Sequence, residues 1–202
     1  MARRGALALS AAVLLLAGCS GGDGLPATQG QNFIKGDGTV VSTPVSERSE
    51  VIELSGTAVD GSAVDLATLR GKVVVLNTWF AGCGPCRREA ADLESVWTQY
   101  SGRNVQFVGI NTIDTADIAG AFQRGHDITY PSILDAGSGQ AMLALRGVAP
   151  QATPTTIVLD TEGRVAARAS GIVTALTLSG MLDDAGADPV PGGTPPSAAA
   201  PA

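Results

Sequence analysis

Histidine and cysteine are scarce in this chain, and basic residues rarely cluster. The 202 residues include one histidine, His126, and three cysteines, Cys19, Cys83 and Cys86. A structural zinc site needs four ligands, so we expect no metal site. The formal net charge is −6, whereas binding to phosphate groups needs a positive surface. Nucleic acid and anionic lipid headgroups are therefore not expected partners.

Long apolar runs are also lacking. The run Gly5 to Gly18 follows the basic pair Arg3-Arg4. As a helix it would extend about 21 Å, which is short of the roughly 30 Å hydrocarbon core of a membrane. We therefore interpret residues 1–18 as an export signal. Its end, Leu16-Ala17-Gly18-Cys19, resembles the bacterial lipobox, in which cleavage before the cysteine is coupled to its lipidation. An ordinary secretory signal with an incidental cysteine is the alternative.

Lipidation of Cys19 would leave Cys83 and Cys86 as a pair in an oxidising compartment. Two or three acyl chains are enough for stable anchoring. We therefore expect an extracytoplasmic protein that is attached to the cell membrane through Cys19.

Low-complexity segments flank a single predicted domain. Residues 19–49 are rich in Gly, Ser, Thr and Asp, which is typical of a flexible linker. Residues 187–202 form a Pro/Ala/Gly-rich tail that we expect to be disordered. Residues 50–186 have a suitable length for one domain.

Strand and helix patterns alternate within this domain. The stretch TAVDGSAVDL, with Asp60-Gly61 at its centre, is typical of a β-hairpin. KVVVLNTWF, residues 72–80, has the composition of a buried central strand. From Cys83 to Tyr100 apolar residues recur every three or four positions, which predicts a helix. Further strands and helices follow to about Asp184, so the sequence predicts an α/β domain with a mixed sheet.

Cys83 and Cys86 lie at the predicted junction of the central strand and this helix. The partial positive charge of a helix N-terminus would lower the pKa of the Cys83 thiol. Cys86, one turn later on the apolar face, is expected to be more buried and to resolve a mixed disulfide formed by Cys83. A structural disulfide that closes so short a loop would constrain the unfolded chain little. The pattern therefore favours a redox-active pair.

The stretch KVVVLNTWFAGCGPCRRE resembles the active-site segment of thioredoxin-like proteins of the TlpA/ResA type, which are membrane-tethered thiol–disulfide oxidoreductases. The similarity extends from GTAVDGSAVDLATLRGK to TPTTIVLDTEGRV. It implies a thioredoxin-like fold, with a central mixed β-sheet flanked by helices, an N-terminal β-hairpin and a central insertion after the first βαβ segment. It also implies dithiol chemistry without a cofactor.

The resemblance assigns roles to residues around the cysteines. Thr153-Pro154 matches the family's cis-proline, which lies beside the cysteine pair and is preceded by backbone that docks the substrate chain. Trp79, Gly84 and Pro85 would border that substrate, although core packing explains Trp79 equally well.

Glu89 matches a family glutamate that is linked to the acid–base behaviour of the cysteines. We expect it at the edge of the buried face, about 60° around the helix from Cys86, where partial desolvation would raise its pKa. A glutamate that merely favours the helix dipole is the alternative. Asn77 stands where ordinary thioredoxins have a buried aspartate, which leaves Glu89 as the acid–base candidate. Ala91 stands where the family often has proline, so the match is incomplete there.

These features predict a monomeric protein-disulfide reductase. The resemblance implies apocytochrome c as substrate, because its CxxCH segment must be reduced before haem attaches, and a membrane thiol carrier of the CcdA/DsbD type as electron donor. Some similar lipoproteins instead oxidise folding proteins, so the direction stays open. A peroxiredoxin-like peroxidase is disfavoured, because Phe80 and Leu76 replace residues that its site needs. A non-catalytic binding module is disfavoured by the intact Cys83, Cys86 and Pro154.

Overall fold

The computed structural model of the chain describes residues 39–48, 51–149 and 152–188. The expected export signal, the expected lipidation site Cys19 and residues 189–202 of the predicted tail lie outside these ranges. Within the described ranges, no helix has both the length and the apolar character needed to cross a membrane.

The described part of the chain forms eight strands and four α-helices. The strands are β1 (Thr39–Ser42), β2 (Ser55–Thr57), β3 (Ala63–Asp65), β4 (Val73–Trp79), β5 (Val105–Asn111), β6 (Ser132–Leu134), β7 (Thr155–Leu159) and β8 (Val165–Ser170). The helices are α1 (Gly84–Tyr100), α2 (Ala116–Gly125), α3 (Gln140–Ala144) and α4 (Ala175–Ala185).

Six strands form one mixed sheet in the order β1-β8-β7-β4-β5-β6. Strands β4, β5 and β6 are parallel, whereas β7, β8 and β1 alternate in direction. The β2–β3 hairpin forms a separate small sheet, with Asp60-Gly61 between its strands as predicted. The segment after β4, α1 and β5 adds α2, β6 and α3. The predicted fold class, including the hairpin and the insertion, is confirmed.

The central position of β4 follows from its composition. All seven of its residues are buried, as expected for a strand that is apolar on both faces. Val73 and Val75 pack in the cluster formed with α1 and α4, whereas Val74 and Leu76 pack in the cluster on the other face. The strand therefore delivers the following loop, and Cys83 with it, to a fixed position at one end of the sheet.

The domain begins earlier than predicted. The sequence predicts a flexible linker up to residue 49, yet Thr39–Ser42 forms the edge strand β1, which pairs with β8. Val40 is buried in the core. This part of the prediction is wrong because an edge strand of four residues contributes few apolar side chains, and its pairing partner lies about 130 residues away in the sequence.

Arg48 fixes the chain after β1 to the rest of the domain. Its guanidinium donates to Oδ2 of Asp160 at 3.2 Å, to the carbonyl oxygen of Thr43 at 3.0 Å and to that of Asp184 at 3.0 Å. The side chains of Arg48 and Asp160 are 6% and 4% exposed, so the pair is shielded from water. The described chain ends nearby, where the N–H of Asp188 donates to Oδ1 of Asn104.

Candidate active site

Cys83 and Cys86 form a disulfide at the start of α1, with Cα atoms 5.3 Å apart. Cys83 is the N-cap residue of the helix, and its Sγ accepts a 3.1 Å hydrogen bond from the N–H of Cys86. Pro85 lies in the first turn, where its missing N–H leaves no hydrogen bond unmade. After reduction, the same N–H and the helix N-terminus would stabilise a thiolate at Cys83. Both cysteines are buried, Cys86 slightly more than Cys83 as predicted.

The loop that carries Cys83 is held by Asp114. Its Oδ2 accepts hydrogen bonds from the N–H of Ala81 at 2.7 Å and from the amide of Asn111 at 2.8 Å. Asn111 also accepts a hydrogen bond from the N–H of Asp114 through Oδ1. Because Asn111 ends β5, this arrangement ties the cysteine loop to the strand next to β4. Sequence reasoning missed Asp114, since nothing in the sequence indicated its contact with a loop some 30 residues earlier.

Pro154 lies next to the cysteine pair. The Thr153-Pro154 peptide bond is cis, as predicted. The carbonyl oxygen of Thr153 lies 3.9 Å from Sγ of Cys83. Two contacts hold this loop in place: the N–H of Thr155 donates to Oγ1 of Thr78 at 3.0 Å, and the N–H of Gly171 donates to the carbonyl oxygen of Pro154 at 2.9 Å. A chain docked against Thr153 would therefore lie directly over the reactive sulfur.

Glu89 is fully buried beneath the cysteine pair. Its Oε1 accepts a 2.8 Å hydrogen bond from Nδ2 of Asn77, and its Oε2 accepts a 3.1 Å hydrogen bond from the N–H of Val173. Desolvation by burial raises the pKa of Glu89 to about 7, although both hydrogen bonds act in the opposite direction. The predicted rise in pKa is confirmed. The predicted place at the edge of the buried face is wrong, because β4 and the segment before α4 cover the carboxyl group.

Asn77 has a second role that the sequence did not reveal. Besides its hydrogen bond to Glu89, its amide donates to Oγ1 of Thr156 at 3.1 Å. Asn77 and Cys86 both line a cavity of about 10 Å³, together with Tyr130. A cavity of that size holds about one water molecule. The cavity therefore places Cys86 and Asn77, the hydrogen-bond partner of Glu89, around one small void.

Trp79 packs beneath the site. It is 4% exposed, and its ring lies 4.6 Å from that of Phe122 and is tilted by 31°. The ring of His126 in turn lies 4.4 Å from the ring of Phe122. Of the predicted docking residues, Gly84 is exposed and Pro85 and Thr153 are half-buried. Burial favours the packing interpretation of Trp79, and its contact with substrate stays an untested prediction.

A cysteine pair at the N-terminus of α1, next to a cis-proline loop and above a buried carboxyl group, defines a thioredoxin-like thiol–disulfide oxidoreductase. The chain belongs to the Redoxin family, whose model matches residues 22–183. Within that family it is of the TlpA/ResA type.

Named relatives agree with this assignment. The chain is 28% identical to the thiol-disulfide oxidoreductase ResA of Bacillus thuringiensis (strain Al Hakam) over 126 residues, which cover 62% of this chain and 70% of that protein. It is similar to the structure of a DsbF homologue from Corynebacterium diphtheriae, with 38% identity, a TM-score of 0.64 and coverage of 76% of this chain and 97% of the other. A secreted thiol-disulfide isomerase from Corynebacterium glutamicum has 32% identity and a TM-score of 0.65, with coverage of 75% and 90%.

Proposed function

We propose that this enzyme is a membrane-anchored, extracytoplasmic disulfide reductase that acts in cytochrome c maturation. The observation that carries the proposal is the position of Cys83 Sγ, at the N-terminus of α1 and 3.9 Å from the carbonyl oxygen of Thr153. There, a thiolate is stabilised next to backbone that can hold an extended substrate. The Gly84-Pro85 dipeptide between the cysteines is that of reducing thioredoxins, and the named relative ResA is likewise a thiol-disulfide oxidoreductase.

The reaction proceeds by two exchanges. The Cys83 thiolate attacks one sulfur of the substrate disulfide, which forms a mixed disulfide and releases the other sulfur as a thiolate. Cys86 then loses its proton and attacks Cys83 Sγ, which releases the second substrate thiolate and leaves the Cys83–Cys86 disulfide. Two electrons have moved from enzyme to substrate. Glu89, with its pKa of about 7, takes up the proton of Cys86.

The substrate of this proposal is the disulfide form of the apocytochrome c CxxCH segment. A membrane thiol carrier of the CcdA/DsbD type returns two electrons to the Cys83–Cys86 disulfide. Anchoring rests on lipidation of Cys19, and the enzyme itself needs no cofactor or metal.

Trapping tests the attack order. Cys86→Ser in the full-length protein should accumulate an adduct between Cys83 and a disulfide-bonded CxxCH peptide, because the resolving thiol is gone. Cys83→Ser is the matched control and should form no such adduct. An adduct on Cys86 in the control, with none on Cys83 in the first variant, would reverse the assignment of the two cysteines.

A second candidate function is oxidation of folding proteins. The similarity to a DsbF homologue, at 38% identity, favours it. The oxidised enzyme would then transfer its disulfide to a reduced, unfolded substrate. Incubation of the oxidised protein with reduced ribonuclease separates the two functions, because an oxidant restores ribonuclease activity with stoichiometric enzyme and a reductase does not.

A further inference from the structure

The N-terminal strand enters the sheet at the end that carries the active site. Thr39, the first residue of β1, pairs with Ser170 of β8, which pairs with Thr155 of β7, which pairs with Thr78 of β4. This row of four residues crosses the sheet directly behind the cysteine loop and Pro154. We call this end of the domain the reactive end.

The C-terminus lies at the opposite end of the domain, which we call the far end. Helix α4 starts after Ser170 at the reactive end and runs away from it. Asp188 bonds to Asn104, which directly precedes β5. Since β5 is parallel to β4, its first residue lies at the far end. Any chain attached before Thr39 therefore leaves the domain beside the active site, and any chain attached after Asp188 leaves it on the other side.

We propose that the reactive end faces the membrane to which the chain is anchored, so that the enzyme exchanges electrons with disulfides and dithiols displayed at that membrane in preference to those in bulk solution. This inference rests on the anchoring through Cys19 in the proposed function. The partner it fits is an integral membrane protein with a reactive cysteine pair near the membrane surface.

The length of the chain between the anchor and β1 decides whether the attachment point matters. Twenty residues, 19–38, beginning with the expected lipidated Cys19, precede β1. The flexible linker expected from the sequence would, at that length, have an average end-to-end distance of about 25 Å. A folded domain of this size is about 35–40 Å across. With such a linker the domain is wider than the average reach of its tether, so the attached end would stay closer to the membrane than the opposite end.

Strand β1 keeps the attachment point at the reactive end because the strand and the chain that follows it are both fixed to the rest of the domain. Its four residues pair with β8, and Arg48 then holds the chain to Asp160 and Asp184 at the far end. The attachment point therefore cannot slide along the sheet without breaking a shielded ion pair.

The two attachment points can be compared in the full-length mature chain. In the oxidised protein Cys83 and Cys86 are bonded to each other, so Cys19 is its single thiol and reacts with maleimide lipid in phosphatidylcholine vesicles. The matched control carries Cys19→Ser and Ala202→Cys, with Gly-Ser residues inserted before position 202 to equalise the two connecting lengths. Both versions are then reduced with a phosphine and freed of it.

Each anchored version is mixed with a disulfide-bonded CxxCH peptide, either soluble or attached by a lipid to the same vesicles. Reduction of the peptide oxidises the Cys83–Cys86 pair, so two electrons leave the enzyme for each disulfide reduced. We expect the version anchored at position 19 to reduce the vesicle-bound peptide about tenfold faster than the version anchored at position 202, by effective concentration alone. Both versions should reduce the soluble peptide at equal rates.

Equal rates of the two versions on the vesicle-bound peptide would overturn the proposed orientation. Failure of both versions on the soluble peptide would instead overturn the proposed reductase function, and this outcome is distinct from the first.

Discussion

The side-chain amide of Asn77 donates a 2.8 Å hydrogen bond to Oε1 of Glu89, which lies twelve residues further along the chain and beneath the cysteine pair. Both side chains are buried, so bulk water does not compete for this hydrogen bond. A buried carboxylate is costly unless such donors stabilise it. Asn77 thus keeps Glu89 able to ionise near neutral pH, while burial keeps it able to hold a proton.

The buried Glu89 should make the stability of the oxidised protein depend on pH. With its pKa raised from 4.5 to about 7, the folded state binds more protons than the unfolded state between these values. Glu89 therefore costs nothing below about pH 4.5 and destabilises the fold increasingly up to about pH 7, by about 3 kcal/mol. In Glu89→Gln this cost is absent. Urea unfolding at pH 4.5 and pH 8.5 should show the variant gaining stability relative to wild type as pH rises.

The comparison of the two proteins at both pH values removes the contributions of other groups. A constant difference between Glu89→Gln and wild type across this range would contradict a raised pKa.

Removal of the Asn77 amide should raise the pKa of Glu89 further, because one of its two stabilising donors is lost. Asn77→Ala should therefore lose more stability at pH 8.5 than at pH 5, where Glu89 is protonated in both proteins. We expect the additional loss at high pH to be about 1–3 kcal/mol. The control is the same substitution in the Glu89→Gln background: relative to Glu89→Gln alone, the double variant Asn77→Ala/Glu89→Gln should lose the same stability at both pH values.

Glu89→Gln should slow the second exchange and leave the first unchanged. A general base contributes typically about 10²–10⁴ to a rate, so we expect resolution by Cys86 to slow by at least about tenfold at pH 7. Stopped-flow measurement of mixed-disulfide decay checks this. Attack by Cys83, measured in the Cys86→Ser background with and without Glu89→Gln, should keep its rate. Equal slowing of both steps would indicate a general disturbance of the site rather than proton transfer.

Two glycine substitutions should have opposite effects on stability. A Cβ at Gly109 of β5 would collide with Oγ of Ser132 and would come within 2.8 Å of Nε1 of Trp79. Gly109→Ala should therefore destabilise the protein by about 1–3 kcal/mol, the usual cost of overpacking.

Gly180 of α4 is exposed and has no atom within 4 Å of a new Cβ. Gly180→Ala should stabilise the protein by up to about 1 kcal/mol. Chemical denaturation of both variants compares their free energies of unfolding with that of wild type. An equal loss of stability in Gly109→Ala and Gly180→Ala would contradict the predicted opposite effects.

The sequence was sufficient for those features that depend on local pattern. The run Val73–Leu76 is apolar, which predicts a central strand buried on both faces, and the redox pair is identified by its spacing and its place before a helix. The sequence was insufficient where residues that contact each other are far apart along the chain. Strand β1 has few apolar residues of its own and depends on β8. The full burial of Glu89 depends on Val173, whose N–H arrives from 84 residues further along the chain. The link between Asn77 and Glu89 joins a strand to a helix, and neither pattern reveals it.

The reduction potential of the Cys83–Cys86 pair tests the central claim most directly. It is measured by equilibration of the protein with thiol redox buffers and quantification of the oxidised fraction. The account predicts a value near −270 mV, about that of thioredoxin, at which the dithiol reduces protein disulfides. A value near the roughly −120 mV of DsbA would contradict it, because such a pair donates its disulfide to folding proteins instead.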